Sequence, residues 1–396
     1  MLISIKELVV GYGEEKVINA FSMDVDRGNL VSIMGSNGSG KTTLIKTLAR
    51  MLPKIEGHVE LDGKNIESYS ERDYAKKISL VLTERPQNNL CTVYDLVALG
   101  RYPHTSFLGN LDDKDHNIIR ESLELVGAIE LSERLFSELS DGEKQKVMIA
   151  RALAQDTEII IMDEPTIHLD IKHKIEVLTI IRRLCKKKNI TVIASLHDID
   201  LALKNSDYVL FVKDRAVIGY GTPEALVNEH AVDYIFDIEK ATYNKTLGTL
   251  EWKTVLANED MQDIFVIGGG GYAADIYRML NKIGYSVITG VLNEEDIDAI
   301  IAKSIGFKVV EEELFMPISN NKLSEAMDLV KNAKVVIDTG VPFKGNYKKN
   351  EELLRAAVNQ NKKIISFCQD RTILRKYANL ELTNLDAFYK KLKDLY

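Results

Sequence analysis

Gly35, Ser36, Asn37, Gly38, Ser39, Gly40, Lys41 and Thr42 follow the spacing G-x-x-x-x-G-K-S/T, with Thr43 next. The stretch lies between an apolar run and a helix-forming run, as a phosphate-binding loop requires. Its glycines let successive backbone N–H groups curl around an anionic phosphate, and the following helix N-terminus adds partial positive charge. Lys41 is expected to reach the β- and γ-phosphates, and Thr42 to place its hydroxyl on Mg²⁺. Further on, the apolar run Ile159, Ile160, Ile161, Met162 ends in Asp163 and Glu164, then Pro165 and Thr166. Asp163 is expected to hold Mg²⁺ through its water shell, and Glu164 to polarise an attacking water as general base. A third element, Ser140, Asp141, Gly142 and Glu143, fits a capping box whose helix head, from Gly142, forms a second anion site. The chemistry implied is nucleoside triphosphate hydrolysis with Mg²⁺.

The elements that must position these residues read as an α/β alternation. Leu2–Val10 and Leu30–Met34 have strand patterns, a helix follows from Thr42, and residues near 110–134 read as helical. Glu158–Met162 is short and almost wholly apolar, the pattern of a buried parallel strand. Further strands are expected at Thr191–Ser195 and Tyr208–Val212. From Asp237 to Asp260 the chain turns polar, and a second alternation follows. Strands are expected at 264–267, 286–289, 334–338 and 363–367, with helices from Tyr272, Glu295 and Glu351 and at the end. This order implies two domains, 1–245 and 260–396, both with largely parallel sheets.

Bulk properties limit the function classes. The chain has 396 residues, too many for one typical core, and a net charge of -8, which argues against a general nucleic-acid binder. Cys91, Cys185 and Cys368 form no C-x-x-C pair, so neither a disulfide framework nor a zinc site is indicated. No apolar run approaches the roughly 20 residues that span a bilayer, and the first residues do not have a signal-peptide pattern. A cytoplasmic chain that reaches a membrane only through a partner is expected. His168 and His173 do not share a helix face, which argues against a metal site there.

The motifs, in this order, resemble the ABC ATPase family over about residues 1–240. Leu139 to Gln145 resembles the LSGGQ signature, with Asp141 in place of a glycine and Glu143 in place of the glutamine. The resemblance implies that Ser140 to Glu143 face the γ-phosphate held by a second copy's glycine-rich loop. It also implies that Asp170, after His168 and Leu169, belongs to the loop linking two active sites, that His197 contacts the γ-phosphate, and that Tyr12 stacks on adenine. The family's Mg²⁺-sensing glutamine is replaced by Thr83, with Gln87 four residues on, and either could serve. Gly100, Arg101, Tyr102, Pro103 and His104, with the later run Gly219–Leu226, resemble cassettes that import iron–siderophores, haem or cobalamin. The implied fold is a P-loop NTPase domain with a helical subdomain, followed by a smaller Rossmann-like domain. Implied partners are a second copy, integral membrane permease subunits contacted by residues 84–108, and indirectly a substrate-binding protein. The chain would then sit at the inner face of the cell membrane. A permease-free ATPase working as a mechanical module is the alternative.

In the second domain Gly268, Gly270 and Ala273 satisfy G-x-G-x-x-A after a strand, the spacing of a pyrophosphate cradle. The acid expected at the end of the next strand is missing; Thr289 and Gly290 stand there. Ligand binding, dimerisation and regulation remain alternatives for this domain, with a leaning towards a corrinoid cargo for the whole. Asp338 is a candidate second site residue or a turn cap.

Overall fold

In the computed structural model the fully apolar runs become the middle of a six-stranded sheet. The structure describes residues 1–83, 91–106, 109–228, 231–253, 264–368, 370, 372–374 and 379–392. The chain divides into two units, Met1–Asp237 and Ile238–Tyr396.

The strands of the first unit are β1 (Ile3–Tyr12), β2 (Glu15–Val25), β3 (Leu30–Met34), β4 (Glu56–Leu61), β5 (Lys64–Asn65), β6 (Ile78–Val81), β7 (Ile159–Met162), β8 (Thr191–Ser195), β9 (Tyr208–Lys213) and β10 (Ala216–Gly221). The six-stranded sheet runs β10-β9-β3-β8-β7-β6, with β10 the antiparallel edge; β2-β1-β4-β5 form a separate antiparallel sheet. Every residue of β3, β7 and β8 is buried, as parallel strands covered on both faces must be. These three strands are neighbours, so the chain segments leaving their C-terminal ends emerge side by side. That juxtaposition brings Gly35, Asp163 and His197 to one edge, where open α/β sheets bind ligands.

The helices that matter are α1 (Lys41–Leu48), α2 (Glu71–Ala75), α3 (Val93–Ala98), α4 (Asp113–Leu125), α5 (Asp141–Ala154) and α6 (Ile171–Lys188). Of the stretch expected to be helical over 110–134, the α-helix stops at Leu125, because Gly127 takes φ 67° and turns the chain. Helices α3 and α4 pack on α5 around a buried ion pair, in which Arg101 Nε donates to Asp115 Oδ1 at 2.7 Å and Nη1 to the Ala154 carbonyl at 2.8 Å. Burial opposes ionisation of Asp115, but the guanidinium and the cap bonds around Asp112 prevail and hold its carboxyl below the ordinary range. Replacing Asp115 by Ala strands a buried charge, so stability should fall by about 3–5 kcal/mol in denaturant titration. The wild-type contribution is present above the ordinary aspartate pKa and lost as pH falls through the lower folded value.

The second unit begins with a hairpin, β11 (Ala241–Asn244) and β12 (Thr249–Trp252), and continues with β13 (Ile264–Ile267), β14 (Val287–Asn293), β15 (Lys308–Glu312), β16 (Val335–Asp338), β17 (Lys363–Ser366) and β18 (Leu380–Leu382). The last six form a parallel sheet in the order β15-β14-β13-β16-β17-β18, a doubly wound arrangement. Alternation along β13 explains its two cores: Ile264 and Val266 pack with Tyr277 and Ile301, while Phe265 and Ile267 pack with Leu323 and Leu353. The expected boundaries need correction. Residues 238–245 belong to the second unit, and the polar stretch contains the hairpin. Asn244 Nδ2 donates to Ser304 Oγ at 3.0 Å, and buried Glu251 pairs with Arg278, which ties the hairpin to this unit.

Candidate ATP site

The loop after β3 needs glycine where backbone crowds it. A Cβ on Gly35 would lie 2.2 Å from the Val212 carbonyl oxygen, while Gly38 and Gly40 take φ 78° and 103°. Gly40 caps α1, so Lys41, Thr42 and Thr43 begin that helix with its N–H groups facing the loop. Lys41 is buried, and its Nζ donates to the carbonyls of Gly35 at 2.8 Å and Ser36 at 2.9 Å. Those bonds use two of three ammonium protons. Burial pushes the Lys41 pKa down, opposed by the nearby charges of Glu164 and Asp163. The Ser39 hydroxyl is buried and makes no hydrogen bond, an unusual cost unless an anion's oxygen completes it. Together these features fit a triphosphate.

Asp163 and Glu164 follow directly on β7, and Glu164 takes φ 49°. Thr42 Oγ1 donates to Asp163 Oδ1 at 3.4 Å, and Thr83 Oγ1 donates to the Asp163 carbonyl at 3.1 Å. Thr42 and Asp163 supply the hard oxygen donors that Mg²⁺ prefers. Of the two candidates for the missing glutamine, Thr83 is thus joined to Asp163, and Gln87 lies outside the described residues. The Glu164 carboxylate meets His197 Nε2, so the expected base and the expected γ-phosphate contact are one hydrogen-bonded pair. An open depression beside them is lined by Asn37, Gly38, Glu164, His168, Lys174 and His197. Tyr12 stands half exposed at the turn from β1 to β2, which leaves its ring face free to stack.

The signature segment is tied elsewhere. Ser140 caps α5, its hydroxyl and its N–H both donating to Glu143 Oε2 at 2.8 Å. Those two bonds, backbone first, hold the Glu143 carboxyl below its ordinary range. Within one chain the Ser140 hydroxyl and N–H are therefore engaged by the protein's own carboxylate. Gly142 has no room for a side chain: a Cβ would lie 2.3 Å from the His173 ring. His173 Nδ1 in turn lies 2.8 Å from Asp170 Oδ1, and Asp170 caps α6. The signature glycine and the expected linking loop are thus joined through one imidazole, a connection the rejected metal reading of His173 did not anticipate.

The glycine-rich turn of the second unit contradicts its reading as a pyrophosphate cradle. Gly269 and Ala273 donate their N–H groups to Asp298 Oδ2 at 2.7 and 3.0 Å, and Gly270 donates to both oxygens of Asp296 at 3.1 Å. Two carboxylates from the end of β14 and its following helix, Ile297–Ile305, take the donors a phosphate needs and would repel it. Burial pushes the Asp298 carboxyl up, with the Ala273 and Gly269 amides opposing. The glycine at 268 instead permits close packing, since a Cβ there would sit 2.8 Å from the Ala273 methyl. Asp338 acts as a turn cap, accepting from Gly340 N and Ser366 Oγ. Asp296 and Asp298 carry no motif spacing of their own and were missed; it is the pairing of β13 with β14 that brings them to the loop.

Comparison with known proteins agrees with the first unit's geometry. Residues 18–167 match the ABC transporter family, and residues 287–394 match the MJ0874 family. An uncharacterized ABC transporter ATP-binding protein of Methanocaldococcus jannaschii, MJ0873, is 42% identical over 293 residues, 74% of this chain and 100% of that protein. The iron(3+)-hydroxamate import ATP-binding protein FhuC of Bacillus subtilis is 35% identical over 237 residues, 60% of this chain and 88% of that protein. Among solved structures, cbiO1 of Clostridium perfringens, part of the ABC transporter complex cbiONQ, is similar with TM-score 0.52 and 28% identity, covering 59% of this chain and 93% of that one. An ATP-binding cassette solved in its ADP conformation shares the fold, with TM-score 0.55 over 60% of this chain and 99% of its own, at 24% identity. The protein therefore belongs to the ABC transporter ATP-binding family: it is an ATPase with a P-loop cassette, followed by a second α/β unit.

Proposed function

We propose that two copies of this chain close head to tail on two ATP molecules, and that closure drives uptake of a metal chelate through paired membrane permease subunits. The chelate class is an iron–siderophore, haem or a corrinoid, delivered by a substrate-binding protein. Similarity to import proteins, including FhuC and the ferric enterobactin transport ATP-binding protein FepC of Escherichia coli at 32% identity, is the observation that carries the import reading. In each site Lys41 and the loop amides hold the triphosphate, while Glu164, oriented by His197, takes a proton from the attacking water. Thr42 and Asp163 would hold Mg²⁺, whose positive charge would offset the negative charge of the phosphates. The Ser140 hydroxyl must turn away from Glu143 to meet the partner copy's γ-phosphate.

No helix among the described residues is long and apolar enough to cross a membrane; in this reading permease subunits supply the attachment to the inner face. A groove lined by Arg50, Tyr74, Leu99, Gly100, Arg151 and Gln155 suits a permease helix. Gly100 shapes it, because a Cβ there would lie 2.3 Å from the Arg151 carbonyl oxygen, and Leu99 and Tyr102 stand exposed beside it. Arg151 has no acidic partner among the described residues, and burial alone lowers its pKa, so a carboxylate from the permease would complete it. Changing Arg151 to Glu should abolish co-purification with the permease subunits while ATP affinity stays within about twofold, since the groove lies outside the phosphate loop. Undiminished co-purification would sink the assignment of this groove.

A further inference from the structure

We infer that Ser195 is a positioning residue for ATP hydrolysis, aligning both carboxylates through a single hydroxyl. The inference rests on the roles given above to Asp163 and Glu164. Ser195 is the last residue of β8 and is wholly buried beside the end of β7. Its Oγ donates to Asp163 Oδ1 at 2.7 Å and accepts from the Glu164 backbone N–H at 2.8 Å.

The two bonds cannot be exchanged. A serine hydroxyl has one proton, and an ionised carboxylate only accepts, so the proton goes to Asp163 and a lone pair receives the Glu164 amide. Each bond does a different job. The first fixes the rotation of the Asp163 carboxylate, leaving the Thr42 hydroxyl 3.4 Å from the same oxygen. The second satisfies an amide that leaves the sheet where Glu164 adopts φ 49°, and so sets the direction in which the Glu164 side chain departs towards His197. A strand of Thr, Val, Ile and Ala explains burial at this position but not a hydroxyl; the three-part chain of hydrogen bonds does.

The test compares Ser195→Ala, Ser195→Thr and Ser195→Val with wild type and with Glu164→Gln. Thr and Val have the same shape, one with the hydroxyl and one without, so the pair separates hydrogen bonding from packing. Removing an outer-shell ligand partner typically costs about 10–100-fold in activity or metal affinity. Ser195→Ala and Ser195→Val should therefore lose about 10–100-fold in kcat with KM for ATP within about threefold, and Ser195→Thr should recover most of it. A second readout needs no turnover. In the Glu164→Gln background with ATP present, Mn²⁺ affinity measured by electron paramagnetic resonance should fall about 10–100-fold when Ser195 becomes Ala. If Thr and Val behave alike, or if Ser195→Ala keeps wild-type kcat and Mn²⁺ affinity while Glu164→Gln is inactive, Ser195 has no positioning role. If Glu164→Gln itself turns over at the wild-type rate, the assignment of the base fails first and this inference falls with it.

Discussion

Changing Glu164 to Gln should lower ATP turnover by roughly 10²–10⁴-fold, the contribution of a positioned general base, while ATP still binds. The substitution is nearly isosteric and keeps a hydrogen-bond acceptor for His197 Nε2, so the geometry at the end of β7 survives. What it removes is the capacity to take a proton. Binding without hydrolysis leaves the closed dimer as the favoured state, to the extent that ATP binds it more tightly than the open one. Sedimentation of the variant should then show an ATP-dependent dimer that wild type forms only transiently. Wild-type turnover in this variant would remove Glu164 from the mechanism.

Changing Lys41 to Ala should act earlier, on binding. Lys41 is 5% exposed, and its ammonium pins the Gly35 and Ser36 carbonyls inward while one proton remains for a phosphate oxygen. Loss of a buried, hydrogen-bonded charge opposite an anion costs about 2–5 kcal/mol. ATP affinity should therefore drop roughly thirtyfold or more in a fluorescent-nucleotide titration. The variant should fold, because the Ser39 hydroxyl and the rest of the loop already tolerate incomplete bonding in the free protein. An affinity within threefold of wild type, a change below roughly 0.7 kcal/mol, would show that the loop amides alone hold the triphosphate.

Much of the ATP site was legible in the sequence, for a physical reason. Its residues follow short parallel strands whose uninterrupted apolar runs, such as Ile159–Met162, leave few other readings. Strands with one wet face were harder: β2 mixes buried and exposed residues, and the hairpin Ala241–Trp252 lies in a polar stretch whose pairing depends on Glu251 buried against Arg278. Ser195 was passed over because a hydroxyl in an apolar strand gives no periodic signal; its meaning comes from β7 lying alongside. The second glycine-rich turn misled for the opposite reason. Its spacing is that of a phosphate cradle, yet Asp296 and Asp298 fill it from a neighbouring strand's loop. Sequence spacing specifies which amides can converge, whereas tertiary neighbours decide what they meet.

In the proposed dimer each ATP is held by Lys41 of one copy and Ser140 of the other. Lys41→Ala and Ser140→Arg, prepared separately, should each be inactive, because every site in either homodimer lacks one half. Mixing the two should restore hydrolysis, since the mixed dimer contains one site with both Lys41 and Ser140 intact. No recovery from two folded variants, or full turnover by Ser140→Arg alone, would contradict a shared site.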